Sequence, residues 1–84
     1  MYTIKILRRA QASIAGLPAS VAGRARAAIA ALVHDPRPPG CKKLKAETQL
    51  WRIRVGDYRV VYTIDDATRV VTVVKVGHRR NVYR

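Results

Sequence analysis

The sequence predicts a single α+β domain in which two N-terminal helices cover one face of a four-stranded, mainly antiparallel sheet, in the order β-α-α-β-β-β. Three observations predict it. An apolar stripe at helical spacing runs from Val21 to Leu32, and strand-like runs separated by short turns fill residues 50–77. With 84 residues, 49% of them apolar, residues 1–84 can bury one modest core and have no room for a second.

Residues 2–7, YTIKIL, alternate loosely and contain β-branched side chains, which predicts a first strand with Ile4 and Ile6 on one face. From Arg8 the period changes: Ala10, Ile14 and Leu17 stand at i, i+4 and i+7, so a short helix is expected to stop near Gly16. Pro18 suits the first turn of the next helix. In that helix Val21, Ala25, Ala28, Ile29 and Leu32 form one stripe, which reads as core, and His34-Asp35-Pro36 ends it because the residue before proline is pushed out of the α region. Residues 35–49, DPRPPGCKKLKAETQ, hold three prolines, a glycine and three lysines and show neither period. This predicts a long loop, of the kind that is usually functional or mobile.

Strands follow at about 50–55, 58–64 and 70–77, with turn residues from Asp65 to Thr68. In the stretch LWRIRVGDYRVVY, Gly56-Asp57 as the two central residues of a tight hairpin would set Val55 against Tyr58 and Arg54 directly opposite Arg59. Alternation then sorts the faces. Trp51, Ile53, Val55, Tyr58, Val60, Tyr62 and Ile64 would meet the helices, while Arg52, Arg54 and Arg59 point the other way. If the turn after the third strand has an odd number of residues, Val71, Val73, Lys75 and Arg79 join the arginines.

Charge narrows the function. Seventeen Lys/Arg against five Asp/Glu give a formal charge of +12, enough self-repulsion to call for a polyanionic or acidic partner. The excess gathers in the C-terminal half: residues 1–41 hold six basic and one acidic residue, residues 42–84 eleven and four. One cysteine, Cys41, excludes an internal disulfide framework and fits a reducing cytosol. The N-terminus lacks the apolar region of a signal peptide and no stretch reaches the length of a membrane span, so a cytoplasmic protein with no membrane partner is expected.

Like charges placed opposite one another repel, unless an anion sits between them, and the guanidinium fork matches phosphate oxygens in a bidentate way. The ending KVGHRRNVYR adds His78, Arg79, Arg80 and Tyr83, an imidazole, two cations and a phenol. An aromatic among cations can stack on an exposed base, a mode typical of RNA recognition. RNA carries its own nucleophile, the 2′-hydroxyl, so scission needs in-line positioning, cationic stabilisation of the phosphorane, and proton transfer to the leaving 5′ oxygen. The five carboxylates are scattered and no His/Cys ligand spacing occurs, so no cofactor or metal is expected. Lys42, Lys43, Lys45, Lys75 and Arg80 are candidate phosphate contacts.

PPGCKKLK, LWRIRVGDYRVVYTI and VVKVGHRRNVYR together resemble the RelE-type mRNA interferase toxins of bacterial type II toxin–antitoxin pairs, in the RelE/ParE superfamily. The resemblance covers nearly the whole chain. It implies the RelE/ParE-like fold and a toxin that enters the ribosomal A site, contacts ribosomal RNA and cuts the exposed mRNA codon, leaving a 2′,3′-cyclic phosphate and a 5′-hydroxyl. It also implies catalytic positions at Arg52, Arg54, Arg59, Arg79 and Tyr83: Arg59 holding the phosphate, Arg79 stabilising developing charge or aiding the leaving group, Tyr83 orienting the nucleotide. Some relatives carry lysine where this chain has Arg52 and Arg54, and a guanidinium is a poor base. Histidine is the side chain suited to proton transfer near neutral pH, so His78 is the candidate base or acid. An acidic, largely disordered antitoxin is the implied partner. Rival readings are a ParE-like gyrase inhibitor acting by binding, and an RNA-binding module without chemistry.

Overall fold

In the computed structural model, which describes residues 1–44 and 49–78, the chain runs β1 (Thr3–Ile6), α1 (Arg8–Ala15), α2 (Ala19–Ala31), β2 (Lys42–Lys43), β3 (Leu50–Val55), β4 (Tyr58–Asp65) and β5 (Val70–His78). The α+β class and the helix pair stand as expected. The sheet has five strands rather than four, in the order β1-β5-β4-β3-β2. The additional strand lies within the segment read as loop, where Lys42 pairs with Arg52 and Lys43 with Trp51. Two residues are too few to display alternation, so β2 is created by the pairing surface of β3 and not by its own pattern. β1 joins β5 in parallel, and the other neighbours are antiparallel.

Leu7, extended at φ −62° and ψ 149°, opens α1, and Ala10 and Ile14 are its buried residues. Gly16 closes it by donating to the Ala12 and Ser13 carbonyls at 3.1 and 3.2 Å. Its φ of −85° is right-handed, so this glycine ends the helix without the left-handed turn glycine often supplies. Pro18 sits at the N-cap of α2, one position before the first turn, and its carbonyl accepts from the Ala22 N–H at 2.9 Å. Ala25, Ile29 and Leu32 are buried as their spacing requires. Ala22 joins them, while Val21 and Ala28 are only half-buried. The core forms between this stripe and the helix-side face of the sheet, with Leu32, Val60, Tyr62, Val71 and Val73 fully enclosed.

Residues 35–41 are strapped across one end of the sheet. The buried Tyr62 hydroxyl donates to the Pro36 carbonyl at 2.7 Å. Arg37 forks onto Asp66 at 2.9 and 3.3 Å, the Tyr2 hydroxyl donates to the same carboxylate at 2.7 Å, and the Arg37 guanidinium lies 4.9 Å from the Trp51 ring centroid. One carboxylate thus ties the N-terminus, the strap and the β4–β5 turn together.

A candidate phosphate-binding face

The site is built by two turns and one irregularity. At the β3–β4 turn Gly56 has φ +61° and Asp57 does not have a positive φ, the pattern of a type II′ hairpin, in which the first central position demands glycine. That turn fixes the register: Val55 faces Tyr58 and Arg54 faces Arg59. The β4–β5 turn holds Asp65 opposite Val70, with the Asp65 carboxylate accepting the Ala67 and Thr68 amides at 3.0 and 3.1 Å. Four residues, 66–69, lie between the paired positions. The even number sends Val71 and Val73 to the core face with Ile64 and Tyr62. They do not join the arginines.

Strict alternation would then carry Lys75 to the core as well. A β-bulge prevents it. Val61 pairs with Lys75 and Tyr62 with Val73, so Val74 is the extra residue and the parity of β5 reverses there. The Arg9 side chain donates to the Val74 carbonyl at 2.9 Å, and the Leu7 N–H to the Val73 carbonyl at 3.0 Å, so the start of α1 holds the bulge. Beyond it Lys75 and Gly77 face outward, and Val76 faces the core.

The outer face therefore carries two adjoining rows. Gly77, Arg59 and Arg54 form one; Lys75, Val61, Arg52 and Lys42 form the next. The arginines are not simply solvated. Arg52 is 8% exposed and Arg59 7%, while Arg54 is exposed. Arg52 donates to the Gly40 carbonyl at 3.2 Å, and Arg59 reaches its neighbour's Tyr58 carbonyl at 3.5 Å. Among the described residues no carboxylate pairs with Arg52, Arg54 or Arg59; the ion pair seen is Arg37 with Asp66, at the β4–β5 turn. Among the described residues no buried side-chain nitrogen or oxygen lacks a hydrogen-bond partner, so the guanidinium donors of Arg52 and Arg59 that bond no protein group keep access to solvent, where an anion of fork-matching geometry can meet them.

The other candidates divide. Lys42 lies in the Arg52 row. Lys43, one residue on, stands opposite Trp51 with its ammonium 5.9 Å from the ring centroid. His78 pairs across from Tyr58 on the helix-side face and meets that ring edge-on, centroids 5.5 Å apart and planes at 85°. The structure does not bring it to the arginines. Lys45, Arg79, Arg80 and Tyr83 lie outside the described residues. Two participants had no signal in the sequence: the Gly40 carbonyl under Arg52 depends on where the strap lies, and Arg9 acts through a bulge that composition does not announce.

Titration behaviour is concentrated at the strap. Its hydrogen bonds from Arg37 and then Tyr2 hold the Asp66 carboxyl below the usual carboxylate range. The bond to Asp66 raises the Tyr2 phenol in turn, and burial pushes the Tyr62 phenol up, keeping it a donor. An apolar groove of about 630 Å³ lies on the helix side, with Ile4, Ile6, Ile14 and Ile29 in its lining.

The comparisons agree with this architecture. A family model described as the ParE toxin of the type II toxin-antitoxin system, parDE, matches residues 4–83. Toxin RelG of Mycobacterium tuberculosis is 32% identical over 85 residues, covering 99% of this chain and 97% of that protein. A chain in the archaeal RelE–RelB complex from Pyrococcus horikoshii is 27% identical with a TM-score of 0.84, over 96% of this chain and 98% of that one. A chain of the intact E. coli RelBE toxin–antitoxin complex is 25% identical with a TM-score of 0.79, over 93% and 96%.

Proposed function

We propose that this chain, which belongs to the ParE toxin family of type II toxin–antitoxin systems and is a RelE-like toxin, acts as an endoribonuclease that cuts messenger RNA in the ribosomal A site. The observation that carries this reading is the pair of directly opposed guanidiniums, Arg54 and Arg59, with Arg59 more than nine-tenths buried and without a carboxylate partner among the described residues. A merely solvated basic surface would leave its cations exposed; here Arg52 and Arg59 are largely covered on the face that also carries Arg54.

In the proposed reaction the 2′-oxygen attacks the adjacent phosphorus, the bond from phosphorus to the 5′-oxygen breaks, the 2′-proton is lost and the leaving oxygen gains one. The products are a 2′,3′-cyclic phosphate and a 5′-hydroxyl. Arg59 and Arg54 grip the non-bridging oxygens, whose charge grows in the phosphorane, so their fixed positive charges act most strongly in the transition state. Arg52 and Lys75, with Lys42 beyond, hold the flanking phosphate. Arg79 as leaving-group partner, Tyr83 as stacking group and Lys45 and Arg80 as outer contacts are assigned by resemblance to the family. The placement of His78 across the sheet speaks against it as the base or acid at a phosphate bound by Arg59, and that of Lys43 against the same row sets it apart from Lys42.

A RelB-type antitoxin of acidic character is the proposed partner, since the matching chains from Pyrococcus horikoshii and E. coli occur in RelE–RelB and RelBE complexes. The ParE description of the family model supports a second reading, inhibition of DNA gyrase by binding. Primer extension on translated message after induction, beside a supercoiling assay, separates the two. Cuts within codons and normal supercoiling support the nuclease; intact message with blocked supercoiling supports the inhibitor.

A further inference from the structure

The outer face does not end at the arginines. Moving along β4 from Val61 by two residues, about 6.5–7 Å, reaches a third row in which Thr63 stands directly opposite Thr72, and Thr72 opposite Lys5 on β1. Both threonines are half-buried, and among the described residues neither hydroxyl has a hydrogen-bond partner. They lie in an open depression of about 550 Å³, whose rim includes Gln49, Asp65 and Thr68. That volume is within the usual range of small-ligand sites. Asp65 has one carboxylate oxygen occupied by the turn amides, at 3.0 and 3.1 Å.

We propose that this threonine row is a nucleobase subsite that sets which base is accepted beyond the phosphate flanking the scissile linkage; the inference rests on the RNA-cleaving reading above. The chemistry at the two ends of the face differs in kind. Cations without carboxylates suit phosphate, whereas two hydroxyls, a carboxamide, a carboxylate oxygen and the single ammonium of Lys5 offer mixed donors and acceptors. A base edge presents such a mixed pattern, and the exocyclic amino groups of adenine, cytosine and guanine complement Asp65. The row lies one nucleotide-sized step beyond the Lys75–Arg52 row that would hold the flanking phosphate, and two rows from Arg59. The sheet thus grips the backbone at one end and reads a base at the other.

The test is the base distribution around mapped cuts in a translating extract, for wild type, Thr63→Val, Thr72→Val and Thr63→Ser. Valine keeps the shape and strand preference and removes the hydroxyl; serine retains it. Discrimination at one nucleotide position is expected to relax about fivefold or more in the valine variants and to survive in Thr63→Ser. An unchanged distribution overturns the subsite and leaves the nuclease standing, as does a uniform fall in cutting with the distribution intact. Weakened binding of the antitoxin with an unchanged distribution assigns the row to the protein partner and likewise overturns it. If wild type cuts no RNA, both readings fall together.

Discussion

Replacing Tyr62 by phenylalanine tests the fold where it supports the site. The Tyr62 side chain is fully enclosed, and its hydroxyl donates at 2.7 Å to the carbonyl of Pro36, itself buried. The substitution changes little in volume and leaves the ring in the core. It removes a hydrogen bond whose net contribution is about 1 kcal/mol, and strands a carbonyl whose desolvation costs about 1–3 kcal/mol. Relief from burying the hydroxyl offsets part of this, giving a net loss of about 2 kcal/mol. For a domain of this size each kcal/mol moves the midpoint by roughly 4–8 °C, so a fall of about 8–16 °C is expected. Thermal and urea unfolding of the purified chain measure it. A change below about 0.5 kcal/mol would mean that the strap is not anchored at Pro36, and with it would go the account of how Gly40 comes to lie under Arg52.

Arg59→Met should abolish cleavage and change stability by less than about 1 kcal/mol in urea melts, because the lost Tyr58 hydrogen bond is offset by removing a cation that faces a like charge; a larger loss would contradict the like-charged setting described for this residue. In acid, Asp66 contributes stability that is present above its unfolded pKa and is lost as pH falls through its lower folded value, so Asp66→Asn should lack that part of the acid transition while matching wild type in its other features. Tyr2 behaves in the opposite sense: its raised folded pKa gives stability present below the unfolded pKa and lost as pH rises, and Tyr2→Phe should flatten the alkaline limb. RNA binding should weaken with salt at a slope of about −3 in log–log form if Arg52, Arg54, Arg59 and Lys75 each meet a phosphate, and Lys75→Ala should reduce the slope by about 0.7.

Local rules placed much of this face in the sequence, and long-range contacts placed the rest. The opposition of Arg54 and Arg59 was legible because a two-residue turn with glycine leading permits one register. The inward run of Val60, Tyr62 and Ile64 was legible because alternation holds along β4. β5 was not, since its parity reverses at Val74 through a bulge held by Arg9, a residue 65 positions away. β2 escaped notice for want of length. The burial of Arg52 and Arg59 was also hidden, because alternation assigns a side chain to a face and says nothing of how far that face is covered. Likewise the tie among Tyr2, Arg37 and Asp66 joins residues up to 64 apart and leaves no periodic trace.

The central claim is that guanidiniums on the outer face perform RNA scission. Its most direct test is the map of cleaved ends on a translated message in an extract given either wild type or the Arg59→Ala variant, with chemical identification of the termini. The account predicts cuts inside codons bearing 2′,3′-cyclic phosphate for wild type, and loss of those cuts for the variant. Identical maps from the two proteins, or a message left whole by wild type, would contradict it.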